Sequence, residues 1–197
     1  MLITPASLPT DLPAITQLFR AYAASLPIDL GYQGFDGELQ SLPGKFAPPQ
    51  GALLIARDAA GAALGCVAMR PLPSPQGEGV AQSATGGAAA PLFEGSALSS
   101  HPSRSALRDT LPSREGTRIC EMKRLYVAPA GRGMGLGAGL ARAIIEAARA
   151  AGYREMRLDT LASMHEAQRL YRGLGFAESG AYYETPIEGT LFMSLKL

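Results

Sequence analysis

Between Glu121 and Ala151 the chain passes from an apolar strand into a basic, glycine-rich turn and at once into an amphipathic helix. The turn reads Arg132-Gly133-Met134-Gly135-Leu136-Gly137. Glycines at alternate positions let the backbone approach a ligand closely, where a Cβ would stand in the way. A diphosphate needs several backbone N–H groups aimed at one point. The start of a helix supplies unpaired N–H donors and the positive end of its dipole. Arg132 adds a fixed positive charge and a forked donor. The turn is therefore built for an anion.

Two ligand readings fit these letters, beside that of a bare surface turn. Gly133-Met134-Gly135-Leu136-Gly137-Ala138 matches G-x-G-x-x-A, the dinucleotide fingerprint, and Asp159 ends the next strand where a ribose-binding acid would sit. Against it, five residues including Pro129 separate the strand end Val127 from the first glycine, although that fingerprint follows its strand tightly. A single βαβ unit is visible, and it follows several antiparallel-looking strands.

The second reading is R-x-x-G-x-G over Arg132 to Gly137, which resembles the acyl-CoA pyrophosphate loop of the GNAT superfamily of N-acetyltransferases. A second stretch carries the same resemblance. Leu170-Tyr171-Arg172-Gly173-Leu174-Gly175-Phe176 is similar to the family's L-Y-x-x-L-G-F motif. The segments Phe35-Asp36-Gly37-Glu38-Leu39, Leu42-Pro43-Gly44 and Tyr182-Tyr183-Glu184-Thr185-Pro186 look like a bacterial subgroup of unassigned substrate.

The pattern of elements agrees with this. Strands are expected over 1–5, 52–57, 63–70, 119–127, 155–160, 177–184 and 190–196. Helices are expected from Thr10 to Ala24, capped by Thr10 or Asp11 with Pro13 tolerated in the first turn, from Phe35 to Leu42, and from Gly135 to Ala151 with Gly152 just past the end. A fourth starts at a capping box, Ser163-x-x-Glu166, and stops before Gly175. The order β-α-α-β-β-β-α-β-α-β-β is that of the GNAT fold. The resemblance thus implies an α/β (α+β) architecture: a mixed, mostly antiparallel seven-stranded sheet flanked by about four helices. Its parallel strands 4 and 5 would splay around the acyl-CoA site.

With 197 residues and 47% hydrophobic side chains, residues 1–197 read as a single domain with a real core. Residues 71–118 interrupt it. There roughly 20 of about 50 residues are Pro, Gly or Ser, a composition too poor to bury a core, so the segment reads as a disordered insertion between strands 3 and 4. A functional lid is the other reading of so long a loop.

The net charge of +1, without a basic run, speaks against a nucleic-acid partner. No stretch reaches the roughly 20 apolar residues of a membrane span, and the start of the chain lacks a signal-peptide pattern. The chain is expected to be cytoplasmic. Cys66 and Cys120 fall within strands and read as small buried residues; no zinc or other metal site is expected. A homodimer is compatible with the resemblance.

The resemblance also implies the chemistry, direct attack of an amine on the thioester of acetyl-CoA. A lysine-like amine is neutral in about one molecule in two thousand at pH 7, roughly 4–5 kcal/mol of barrier, so a general base helps. Glu121 in strand 4 matches one family position for it. Leu125, Tyr126 and Val127 match the segment whose backbone lies along pantetheine and supplies an oxyanion donor. Arg132, Gly133, Met134, Gly135, Leu136 and Gly137 would hold the pyrophosphate. Tyr171 matches the acid that protonates the departing thiolate. The family often places Asn three residues before Ala167. Met164 stands there, so that contact is lost or passes to Ser163. Acceptor selection is expected from Tyr32, Phe35, Arg70, Arg124, Tyr182, Tyr183 and Glu184, with Arg70 and Arg124 able to hold a carboxylate. The acceptor would be a small molecule, an amino acid or a peptide. The departure at Met164 and the insertion leave open a non-catalytic acyl-CoA binder.

If the insertion carries none of the core, replacing residues 74–113 by a short turn leaves the melting transition and acetyl-CoA binding intact. Limited proteolysis of the full chain cuts first within it. Strong hydrogen-exchange protection there contradicts this.

Overall fold

The computed structural model of the protein describes residues 1–72 and 118–197. The disorder expected of the insertion lies outside the described residues. Its flanks are described: Leu72 and Ile119 are direct partners across two antiparallel strands, so the chain leaves and returns at adjacent points.

Seven strands form one sheet: β1 (Leu2–Pro5), β2 (Ala52–Arg57), β3 (Ala63–Leu72), β4 (Ile119–Val127), β5 (Glu155–Thr160), β6 (Ala177–Glu178) and β7 (Leu191–Lys196). Their order is β1-β2-β3-β4-β5-β7-β6. Every neighbouring pair is antiparallel except β4 with β5. Helices α1 (Leu12–Ala24), α2 (Phe35–Gln40), α3 (Leu136–Ala150) and α4 (His165–Gly173) flank the sheet, with 3-10 turns at Gly31–Gln33, Gly44–Phe46 and Pro129–Gly131.

The sheet buries both faces. The α3 stripe of Leu136, Leu140, Ile144 and Ala148 packs with Val67, Met122, Met156 and Tyr171. Across the sheet, Ile15, Leu18 and Phe19 of α1 pack with Phe46, Ile55 and Cys66. A sheet covered on both sides needs strands that are apolar throughout. β2 and β3 meet that demand. β4 does not, because Glu121, Lys123 and Arg124 are buried within it.

Two features of β4 shape the molecule. First, its pairing with β5 covers only Ile119↔Glu155, Cys120↔Met156 and Glu121↔Arg157. Beyond Glu121, β4 follows β3 while β5 follows β7 as far as Thr160↔Leu191, so the sheet opens into a cleft. Second, β4 bulges. The partner of Cys66 is Tyr126 but that of Ala68 is Lys123, so Val67 faces both Arg124 and Leu125. Arg124 has φ 57°, the one left-handed non-glycine residue among those described. Such a conformation costs about 1–3 kcal/mol and persists where surroundings hold it.

Several expectations need correction. Asp11 precedes α1 as expected, but its carboxylate does not cap the helix; it accepts from the Ser7 N–H at 2.8 Å and from Arg57 at 2.6 Å. The Ser163 capping box does not form. Met164 is the residue before α4, with no side-chain cap. Gln168 does the stapling instead, its amide donating to the Leu161 and Ala162 carbonyls at 2.9 and 3.0 Å. The strand expected over 177–184 stops at Glu178, because Tyr182 and Tyr183 turn in to pack edge-on against Phe192, both at 5.1 Å between centroids.

Candidate active site

The glycine-rich turn sits where β4 ends. Gly133 (φ 75°) and Gly135 (φ 74°) are both left-handed, and a Cβ built on either would project into open space. These are the positions where glycine is required and where its missing side chain leaves a cradle. Gly139 makes the first bond of α3, donating to the Gly135 carbonyl at 3.0 Å. The N–H groups of Leu136, Gly137 and Ala138 therefore have no partner within the helix. Arg132 is exposed beside the cradle, its Nε donating to the Val127 carbonyl at 3.4 Å. Met134 is exposed as well. The groups present fit a diphosphate: open backbone donors, a helix start and one guanidinium.

The opened edge of β4 runs from this cradle toward the bulge. Ala128 donates its N–H to Leu64 in β3 at 2.8 Å, and the Tyr126 carbonyl also faces β3, 2.7 Å from where a Gly65 Cβ would be. The alternation of an extended strand then turns the main-chain groups of Leu125 and Val127 toward the cleft. Of the three expected backbone contacts, Leu125 and the Val127 N–H face the cleft, while the Val127 carbonyl accepts from Arg132 Nε. Tyr126 is committed to β3, and its ring packs edge-on against Tyr22 at 6.2 Å.

A narrow cavity of about 30 Å³ lies in the cleft beside the bulge. Leu125, Asp159, Met164 and Tyr171 are among its walls. Ser163 is exposed and is not part of that wall, so Met164 itself presents a thioether where the family places an amide. Tyr171 is 7% exposed, and burial pushes its hydroxyl far above the ordinary phenol range. A phenol is protonated at neutral pH in any case, and burial makes this one hold its proton more tightly. Tyr22 beside it is pushed up to about 12, chiefly by burial.

A second cavity, of about 240 Å³, adjoins the first. Tyr32, Gln33, Lys123 and Arg124 line both, so the β4 bulge forms their common wall. Lys45, Arg70, Tyr183 and Glu184 complete the larger chamber, with Glu38 beneath. Of the residues expected to select the acceptor, Tyr32, Arg70, Arg124, Tyr183 and Glu184 line it. Phe35 lies under the Arg124 guanidinium at 5.1 Å, and Tyr182 sits behind the wall.

Charges in this wall are tightly partnered. Arg124, 4% exposed, donates through Nε to Glu38 Oε1 at 2.7 Å and through Nη1 to Gln33 Oε1 at 3.1 Å. Burial alone would raise the Glu38 carboxyl, but Arg124 and Lys45 hold it below the ordinary value. Asp159 behaves alike: burial works to raise it, and Lys123, at 2.8 Å, holds it down. Glu121 is 0% exposed and lines neither cavity. Arg70 Nε donates to its Oε2 at 2.5 Å, the Tyr182 hydroxyl to Oε1 at 2.8 Å, and Lys123 lies 3.5 Å from Oε1. Both carboxylate oxygens are thus engaged. Burial, then this carboxylate, drive the Tyr182 hydroxyl upward.

Sequence reasoning missed Gln33, Glu38 and Lys45 as wall residues, and Asp159 as the second partner of Lys123 beside Glu121. One signal was available. Three charges within a strand buried on both faces require partners from other elements, and the acids and amides of the α1–α2 region were the nearest supply.

Among the described residues no group of three or more His, Cys, Asp or Glu side chains is arranged to hold a metal, and no helix is long and apolar enough to cross a membrane. Comparison with known proteins agrees with this architecture. An uncharacterized N-acetyltransferase of Schizosaccharomyces pombe is 33% identical over 195 residues, covering 99% of this chain and 94% of its own. The likeness therefore extends beyond the bacterial subgroup expected from the sequence. A GNAT-family acetyltransferase from Staphylococcus aureus shares the fold with a TM-score of 0.63 at 12% identity, over 99% of this chain and 98% of that one. A Salmonella typhimurium structure determined with its cofactor acetyl-CoA superposes with a TM-score of 0.56 at 19% identity, over 100% and 93%. The profile of the acetyltransferase (GNAT) family matches residues 15–176, and the chain belongs to that family.

Proposed function

We propose that this protein transfers the acetyl group of acetyl-CoA to a primary amine by direct attack. The observation that carries the proposal is the alignment of three features along one strand. The diphosphate cradle stands at the C-terminal end of β4, its unpaired edge runs inward, and the junction of the two cavities lies at the bulge. A ligand with a diphosphate at one end and a thioester at the other matches that order.

Gly133 to Gly137 and Arg132 hold the pyrophosphate of acetyl-CoA. Main-chain groups of Leu125 and Val127 pair with the pantetheine arm as an added strand would, and Met164 packs against it. The acceptor enters through the larger cavity. As its nitrogen attacks the carbonyl carbon, the C–S bond breaks, and the Leu125 N–H stabilises the oxyanion. Tyr171, protonated at neutral pH as any phenol is, gives its proton to the thiolate and recovers one from solvent.

Glu121 is the proposed acceptor of the amine proton, reached through water, since its own oxygens are occupied. Its three partners favour a second reading, in which Glu121 only fixes Arg70, Lys123 and Tyr182 and the amine arrives neutral. A second function class, binding of acyl-CoA without transfer, shares the cradle but needs no protonated Tyr171.

Acetyl-CoA at about 100 times its Kd should stabilise the fold by roughly 2.7 kcal/mol, seen as a rise in Tm. Arg132→Ala and Gly135→Val should remove most of that rise. A rise with NAD and none with acetyl-CoA would contradict the cofactor assignment.

Transfer is checked by release of free thiol with a panel of amines. Tyr171→Phe should lower kcat by roughly 10²–10⁴ with acetyl-CoA affinity nearly unchanged. Glu121→Gln should lose most rate at low pH and recover as rising pH supplies neutral amine. An unaltered pH–rate profile would return Glu121 to its structural role. Acetyl-CoA binding without thiol release for any amine would support the binder.

A further inference from the structure

The junction between the two cavities carries a donor that the protein itself does not satisfy. Arg124 lines both chambers, and its Nη2 is buried without a hydrogen-bond partner among the described residues. Its other nitrogens are committed to Glu38 and Gln33. Glu38 does not take up Nη2: its Oε1 meets Arg124 Nε at 2.7 Å and its Oε2 meets Lys45 at 2.9 Å. A buried charged group with an unmade hydrogen bond is costly, and one that lines a cavity can be completed by what enters it.

The charge balance of the wall has the same sign. Lys45, Arg70, Lys123 and Arg124 face the acceptor chamber. The acids around them are already engaged: Glu38 by Arg124 and Lys45, Glu121 by Arg70 and Lys123, Asp159 by Lys123. Glu184, at the exposed rim, is the remaining lining acid. Four cations against three inner acids leave the inner wall one net positive charge, which a plain ammonium entering the chamber meets. An acceptor that brings its own anion offsets it.

Position then fixes where that anion lies. Arg124 precedes Leu125 in the bulge and its guanidinium lines both cavities, so an anion on Nη2 lies at their junction, between the place of the thioester in the proposed reaction and the acceptor chamber. We infer that the acceptor is a free α-amino acid, its carboxylate bound by Arg124 Nη2 at the junction and its side chain directed into the chamber toward Arg70, Lys45 and Glu184. The chamber of about 240 Å³ holds a molecule of that size. Arg70 spends its Nε on Glu121 and faces the chamber with its remaining nitrogens, toward the acceptor's side chain. This inference rests on the acyl-transfer reading above and narrows its acceptor.

The test compares the twenty L-amino acids with their α-amides as acceptors, using acetyl-CoA and free-thiol release. The amide keeps the shape and removes the charge, and its less basic amine favours it wherever the carboxylate goes unrecognised. The expected result is one or more amino acids with kcat/KM at least roughly 100-fold above the matching amide. In Arg124→Gln that ratio should fall at least tenfold, mostly through KM, with Arg124→Lys intermediate. If Arg124→Gln does not fold, the ratio in the unaltered protein decides. Amides used as well as the acids, or a ratio untouched in a folded Arg124→Gln, overturn the inference and leave the transferase reading standing. Turnover of none of these amines overturns the inference, and the transferase reading falls with it only if no amine of the wider panel releases thiol.

Discussion

The buried pair between Arg124 and Glu38 governs the geometry of this molecule. Arg124 occupies a left-handed conformation that a non-glycine residue adopts at a cost of about 1–3 kcal/mol. It is held there because its guanidinium is tied to Glu38 of α2 and to Gln33 in the preceding turn, and lies over the rings of Phe35 and Tyr22. Breaking such a pair strands a charge and typically costs about 3–5 kcal/mol, more than the strain it offsets. The bulge follows from this tether. With it come the cleft-facing main chain of Leu125 and Val127 and the wall shared by both cavities.

The remaining polar groups of the cleft answer to the same constraint. Opening the sheet beyond Glu121↔Arg157 exposes the edge of β4 in the middle of the molecule. The charges that β4 carries there must find partners across the gap. Lys123 reaches Asp159 on β5, and Glu121 takes Arg70 from β3 and Tyr182 from the β6–β7 connection. The cleft is thus cross-braced by ion pairs that leave a passage between them. The phenols of Tyr22, Tyr171, Tyr182 and Tyr183 are all driven upward, chiefly by burial, so they keep their protons and meet whatever enters as hydrogen-bond donors.

Much of the frame was legible in the letters, because β2, β4 and β5 are continuous runs bounded by turn residues and α3 has a clean apolar stripe ending at Gly152. The cradle was legible too, since Gly133 and Gly135 stand where only glycine fits. What escaped depends on tertiary contacts. Asp11 and Ser163 look like helix caps locally, but Arg57 claims the first and the fold of the β5–α4 loop sets the second aside. Tyr182 and Tyr183 look like strand residues until Phe192 and Glu121 draw them inward. Glu38 carried no site role in the sequence reading, and its burial follows from the one cation that β4 could not satisfy from within its own sheet.

Backbone amide shifts of ¹⁵N-labelled protein during titration with acetyl-CoA read the proposed binding path residue by residue. The expected result is saturable change concentrated at Leu125, Val127 and Gly133 to Gly137, with Tyr126 and β2 little affected. Saturable binding that leaves those amides unmoved, or NAD moving the glycine turn while acetyl-CoA does not, would contradict it.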